Sequence, residues 1–428
     1  MSESLEAVPR IRRTGLLVAV FLLCSLTGFA LAQQAHPRRL VDERGHVEVI
    51  RAIVNGEFRF ALMEERKLPM LPGYHAGMSL PARAIGDSLF ELRSVSYLFA
   101  LLLVPLAALA ARAVGGPGWA PRFLQVLLIP VWPVMSWLVY TDVASLVLVL
   151  GGFLLWRKQR TGLAAVVLTT ACLVRQNNLV WSVVFVAADL LEHAGGDVRR
   201  LPGAARARAR ALLPLLVPVL VIAVLVLRTG RLVSGSFANN PLVLHPSQVY
   251  AQAVFLLFYL APAIVRDLRR QAREWRERIR ARRFGWVLIA AALCAIYLTT
   301  MTPEALHPNN LRLQISDMLD IDDLVPAGIS RTPVARTAGF ALLWIVASFL
   351  AHLTATARKP WLLGSILVGA MLYFLPSWII SARYSLIPTS LLLLAADDPR
   401  LTDRTSRIWA AGVGVFLTGG FLTNTLFW

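Results

Sequence analysis

Cysteine, lysine and charge are all scarce in this chain. Three cysteines occur in 428 residues, Cys24, Cys172 and Cys294. Each lies inside an apolar stretch with no partner at metal-ligand spacing, which excludes a disulfide framework or a thiolate metal site. Charged residues make up 16% of the chain against 57% hydrophobic ones, and the mean hydropathy is +0.62. So many apolar runs cannot all be packed inside one soluble core, so a water-soluble fold is excluded. Only three of the 43 basic residues are lysine, an arginine bias typical of GC-rich bacterial genomes. No Gly/aromatic RNA-binding pattern accompanies the +18 net charge, so no nucleic-acid partner is expected. Internal repeats, inverted symmetry of the transporter kind, low-complexity tails and a separate soluble domain are also missing.

What is present is a succession of apolar runs near 20 residues long, from Gly15 to Trp428. They predict an all-α polytopic membrane protein, with residues 1–428 forming one integral membrane domain. About 13 spans are expected, near 14–34, 94–111, 122–140, 143–156, 161–177, 179–193, 211–228, 248–265, 284–302, 335–353, 361–381, 384–396 and 408–427. The stretches 143–156, 179–193 and 384–396 are short enough to be re-entrant or broken. Arg10, Arg12 and Arg13 precede an apolar run ending Ala30-Leu31-Ala32, a pattern shared by cleavable signal peptides. The length of that run favours a retained signal anchor, and either reading puts the following loop outside.

Charge sets the orientation. Arg157, Lys158 and Arg160, then Arg199, Arg200, Arg206, Arg208 and Arg210, and Arg358-Lys359 all fall on one side. So does the stretch 266–283, with nine arginines against three acids. The loop 35–93, with nine basic and eight acidic residues, and the net acidic loop 303–334 fall on the other. This satisfies the positive-inside rule and puts loop 35–93 on the outer face; with the arginine bias, the expected location is a bacterial inner membrane with that loop facing the periplasm. That loop is too long for a mere connector. The spacing of Val47, Ile50 and Val54 predicts an interfacial helix on the membrane surface, broken before Tyr74-His75 by Pro69, Pro72 and Gly73.

On this layout the unusual polar residues all gather at the outer face. Asp42, Glu43 and His46 follow the first span. Tyr140 and Asp142 close the third, and Arg175, Gln176, Asn177 and Asn178 close the fifth. His245 follows the seventh span, His307 and Asn310 follow the ninth, and Arg383-Tyr384 lie between the eleventh and twelfth. Singly, each has a structural explanation: a solvated loop start for Asp42 and Glu43, a snorkelling anchor or an Asp142 partner for Arg175, a helix cap for Asn177. Ionisable residues at a membrane rim are costly, and six segments offering them to one side read as a site. Metal ligation is not expected. No histidine pair has ligand spacing, and Asp320, Asp322 and Asp323 read as a solvated acidic loop.

Together the motifs resemble a known family. Asp42-Glu43-x-x-His46, Gly56-Glu57-Phe58 and Leu71-Pro72-Gly73-Tyr74 are similar to the first lumenal loop of the dolichyl-phosphate-glucose α-1,2-glucosyltransferases. Tyr140-Thr141-Asp142, the run from Arg175 through Trp181, and Arg383-Tyr384 with Pro388 resemble further blocks in the same order. A departure is Val47-Glu48, where the family has Pro-Gln after the histidine. The resemblance implies a GT-C bundle of about 11–13 transmembrane helices, whose long first outer loop holds a catalytic acid. It also implies inverting transfer of a hexose, glucose in that family, from a polyprenyl-phosphate-linked sugar to a glycan or lipid-linked acceptor.

Elementary chemistry fits this. Phosphate departs without a proton, so the reaction needs one base and a cationic clamp. Asp42 is the expected base, with Glu43 the rival and His46 orienting the carboxylate from four residues on. Arg175, Arg383, Tyr384 and His245 are the candidates for the donor phosphate. Tyr74, Tyr140, Asp142, Gln176, Asn177, His307 and Asn310 are those for sugar and acceptor. No cofactor is expected. The competing readings are a transporter or flippase of a lipid-linked sugar, a polysaccharide polymerase or ligase, and a non-catalytic scaffold.

Overall fold

The computed structural model describes residues 3–66, 68–115, 118–230, 246–281, 285–300, 333–375 and 382–423. Helices account for nearly all of this, and no strand occurs among the described residues. The chain is an all-α polytopic membrane protein. Four helical stretches among the described residues are long and apolar enough to cross a bilayer: Thr14–Ala35, Leu89–Val114, Val198–Arg228 and Gly339–Thr356. A fifth is possible only as a pair, Gln248–Tyr259 and Ala261–Glu277, bent by 99° where one span was expected over 248–265. Leu16, Leu23, Leu98, Leu220 and Leu227 are exposed on such helices, as lipid-facing side chains should be.

In the first half, α1 (Glu3–Ala35) leads into α2 (Val41–Val54), α3 (Phe60–Glu65) and α4 (Gly73–Ile85). Next come α5 (Leu89–Leu101) and α6 (Leu103–Val114), the two parts of one span. Ser88 caps α5, accepting from the Glu91 amide at 3.3 Å while Glu91 accepts from the Ser88 amide at 2.8 Å. The expected span 122–140 is instead two helices, α7 (Trp119–Leu127) and α8 (Trp132–Ser136). Pro130 and Pro133 explain the break: neither has an N–H to give to a helical ladder. Then follow α9 (Thr141–Arg157), α10 (Thr161–Val174) and α11 (Leu179–His193).

The second half contributes one helix of special weight, α12 (Leu386–Ala395). All ten of its residues are buried, against α6, α7, α9 and the helix Pro360–Phe374. At 1.5 Å per residue it extends only about 15 Å, half a bilayer core. Such a short helix survives in a membrane because other helices, not lipid, surround it.

The helix α2 departs from expectation. Val47 and Ile50 are fully buried, packed on Tyr74, Met78, Leu92, Val139 and Val174. Its apolar face is therefore turned into the protein, not into the membrane surface, because α4 and α5 supply a closer apolar partner than lipid does.

Candidate active site

The Asp42-Glu43 pair stands at the start of α2, in its first turn. The Asp42 side chain lies outside the described residues. Glu43 is completely buried and held by four donors. Arg93 grips both oxygens, Nε on Oε1 at 2.9 Å and Nη2 on Oε2 at 2.6 Å. The amides of Val139 and Leu40 donate at 3.0 and 3.2 Å. A carboxylate accepts about four such bonds, so Glu43 is saturated. Arg93 is saturated too, since its remaining N–H groups donate to Gln33 Oε1, the His36 carbonyl and the Arg38 carbonyl. This knot joins the end of α1, the start of α2, α5 and the segment before α9.

One helical turn on, His46 is buried against a histidine from another helix. Its Nδ1 lies 2.9 Å from Nε2 of His75 on α4, and the rings of Tyr74 and Tyr140 stand edge-on to it at 5.9 and 5.7 Å. Burial, reinforced by the charges of Arg175 and Arg383, lowers the His46 pKa to about 3. Burial and the neighbouring His46 hold His75 well below the usual range too. Both rings are therefore neutral at physiological pH. Burial also raises the Tyr74 phenol above its ordinary value, so this hydroxyl keeps its proton.

What brings α4 so close is Gly73. A Cβ there would lie 2.6 Å from the Leu173 carbonyl oxygen of α10, nearer than any real side chain sits. Only glycine lets the helix start against that backbone, and the contact delivers Tyr74 and His75 beside His46.

Across from the histidines lies a buried ion pair. Arg175 Nη1 is 3.1 Å from Asp142 Oδ1, and its Nε donates to Thr141 Oγ1 at 2.7 Å. The other oxygen of Asp142, Oδ2, is buried without a hydrogen bond. The Arg175 guanidinium also lies over the Tyr384 ring at 5.1 Å, while Arg383 lies over Tyr140 and Tyr384 at 5.3 and 5.5 Å. Gln176 donates to the Pro69 carbonyl at 2.6 Å, and Asn177 lies beside the Tyr373 hydroxyl. Asn178 faces inward, donating to Ser145 and to the Ala171 carbonyl.

Of the residues expected at the site, Glu43, His46, Tyr74, Tyr140, Asp142, Arg175, Arg383 and Tyr384 thus come together, with Gln176 and Asn177 at the edge. His245, His307 and Asn310 lie outside the described residues. Sequence reasoning missed His75 and Arg93. His75 had a signal, standing next to Tyr74 in the Leu-Pro-Gly-Tyr block. Arg93 had one as well, being a lone charge at the mouth of an apolar span. No group of three His, Cys, Asp or Glu side chains able to hold a metal occurs among the described residues.

The opposite end of α9 is chemically different. Arg157 pairs with Glu192 at 3.1 Å, and Arg208 with Asp189 at 2.8 Å. Arg358, Lys359 and Arg122 act on one another there as well. About 22 Å of helix separates Arg157 from Asp142. Beyond Ser145, one turn from Asp142, its buried residues Leu146, Val147, Val149, Leu150, Phe153 and Leu154 are apolar.

A helical membrane bundle with a polar, arginine-bearing site at one end is the frame, and the family comparison supplies its class: a glycosyltransferase of membrane glycosylation. Residues 36–200 match the model of the DIE2/ALG10 family, so this part of the chain is DIE2/ALG10-like. The match takes in the α2 to α11 part of the site, from Glu43 through Asn177, and stops short of Arg383 and Tyr384. No curated protein and no solved structure matches the chain.

Proposed function

We propose that this protein transfers a hexose, glucose by family resemblance, from a polyprenyl-phosphate donor to a glycan or lipid-linked acceptor. Transfer is inverting, on a GT-C type bundle, at the outer face of the membrane and in a bacterium at the periplasmic side. One observation carries the reading: segments as far apart in sequence as His46, Asp142, Arg175 and Arg383 meet at one end of the bundle, opposite its arginine-rich end. A transporter needs polar groups along a path through both leaflets, and the apolar buried residues of α9 from Leu146 to Leu154 argue against one there.

In this mechanism Asp42 removes the acceptor hydroxyl proton as the new bond forms, and the sugar–phosphate bond breaks without protonation of the leaving group. Glu43 is not the base on this reading, because taking a proton would break its bonds to Arg93. Arg383, braced on two tyrosine rings, receives the departing phosphate together with Arg175. Arg175 also orients Asp142, whose Oδ2 accepts from a sugar or acceptor hydroxyl. Tyr74, Gln176 and Asn177 line the same space. His245, His307 and Asn310 stand as proposed donor, sugar and acceptor ligands on sequence grounds.

The test is transfer by the purified full chain from polyprenyl-phosphate glucose to a panel of acceptors. Asp42→Asn should lower kcat by about 10²–10⁴-fold with normal thermal stability. Full activity in that variant would remove Asp42 as the base. Arg383→Gln should cost about 10²–10³-fold, with the loss appearing in donor use. Unchanged donor kinetics would reduce it to a membrane anchor.

A further inference from the structure

The helix α2 has a second polar face, turned away from the histidines. Arg44, Glu48 and Arg51 follow one another there at helical spacing, and with Arg38, Arg39 and Leu89 they line an open cleft of about 480 Å³. Basic groups outnumber acids around it. Glu48 receives Arg44 at 3.1 Å, Arg66 at 2.6 Å and Arg39 at 3.6 Å, while Arg51 donates to the Asp87 carbonyl at 2.8 Å. The Arg44 side chain is still 71% exposed.

The position of the cleft is as telling as its charge. The span Thr14–Ala35 ends just before Arg38, and the span Leu89–Val114 begins at its wall. The cleft therefore lies at the level where two helices leave the bilayer. Phe29 meets Phe90 at 6.3 Å between ring centres, and Leu31 and Phe90 are exposed at the adjoining ends of these two spans. Basic groups above an apolar wall at an interface are complementary to an anionic headgroup above its chains.

We propose that this cleft holds the phosphodiester headgroup of an anionic membrane lipid, with its chains along Leu31 and Phe90. Guanidinium groups match phosphate oxygens in geometry and charge. Glu48, standing among the arginines, favours a singly charged diester over a dianionic monoester. The site is separate from the proposed reaction centre, which lies across α2, and uses none of its residues.

Native mass spectrometry of the full chain in detergent, titrated with phosphatidylglycerol or phosphatidylcholine, reads this directly. Wild type should retain phosphatidylglycerol preferentially. Arg38→Gln with Arg44→Gln should reduce that preference by about tenfold or more, whereas Arg206→Gln with Arg210→Gln, an equal loss of charge at the other end of the molecule, should leave it intact. Glu48→Gln should strengthen retention, a gain that misfolding would not produce. Equal retention of the two lipids by wild type, or equal losses in the two double variants, would overturn the proposal. Displacement of the lipid by millimolar inorganic phosphate would also overturn it, by showing that a free anion suffices.

Discussion

At the scale of single residues, the two neighbouring acids of α2 differ in what their substitution should do. Glu43→Gln leaves the Arg93 guanidinium buried without its counter-charge, which costs about 3–5 kcal/mol when a buried pair is broken from one side. Thermal unfolding of the solubilised protein should show that loss as a lowered Tm, with activity falling in step. Asp42→Asn should do the reverse, losing turnover and keeping Tm. The histidines make a separate prediction about pH. Because folding lowers the His46 pKa from 6.5 to about 3, the unfolded chain binds more protons between those values. Stability is complete above pH 6.5 and falls as pH drops toward 3, by up to about 1.4 kcal/mol per pH unit for each such group. His75→Gln should make the slope of Tm against pH shallower; an unaltered slope would mean that these rings do not set it. The sequence revealed that acids and a histidine stood together after the first span. It was silent on the engagement of Glu43, since that lies in Arg93, fifty residues away, and in a backbone amide at Val139.

At the scale of elements, the approach of α4 to α10 depends on one missing methyl group. Gly73→Ala should force the helices apart, with a destabilisation of about 1–3 kcal/mol and a fall in kcat as Tyr74 and His75 move. Gly77, on the same helix with open space around its Cα, is the control. There alanine should be neutral or stabilising by up to about 1 kcal/mol, measured as Tm. Helix positions were readable because apolar runs report burial in lipid or protein equally well. For the same reason α2 was placed wrongly: its Val47 and Ile50 stripe specifies an apolar neighbour without saying whether that neighbour is lipid or α4. The break at 128–131 was written in Pro130 and Pro133, but apolar composition on both sides masked it as one span.

For the whole molecule, the separation of a polar site from an arginine-rich end predicts two-sided topology. With Cys24, Cys172 and Cys294 replaced by alanine, single cysteines at Phe60 and at Arg199 should react with a membrane-impermeant maleimide from opposite sides of oriented vesicles. Labelling of both from one side would refute the arrangement. The buried ten-residue helix Leu386–Ala395 carries a further consequence for biogenesis. Its neighbours α6, α7 and α9 are synthesised more than two hundred residues earlier, so they leave the ribosome around an unfilled slot. The nascent bundle must be kept from collapsing or pairing wrongly until residue 395 has emerged. A chain cut after residue 200 would hold the family-matching segment yet lack its keystone, and should be a client of membrane chaperones and proteases rather than a minimal enzyme.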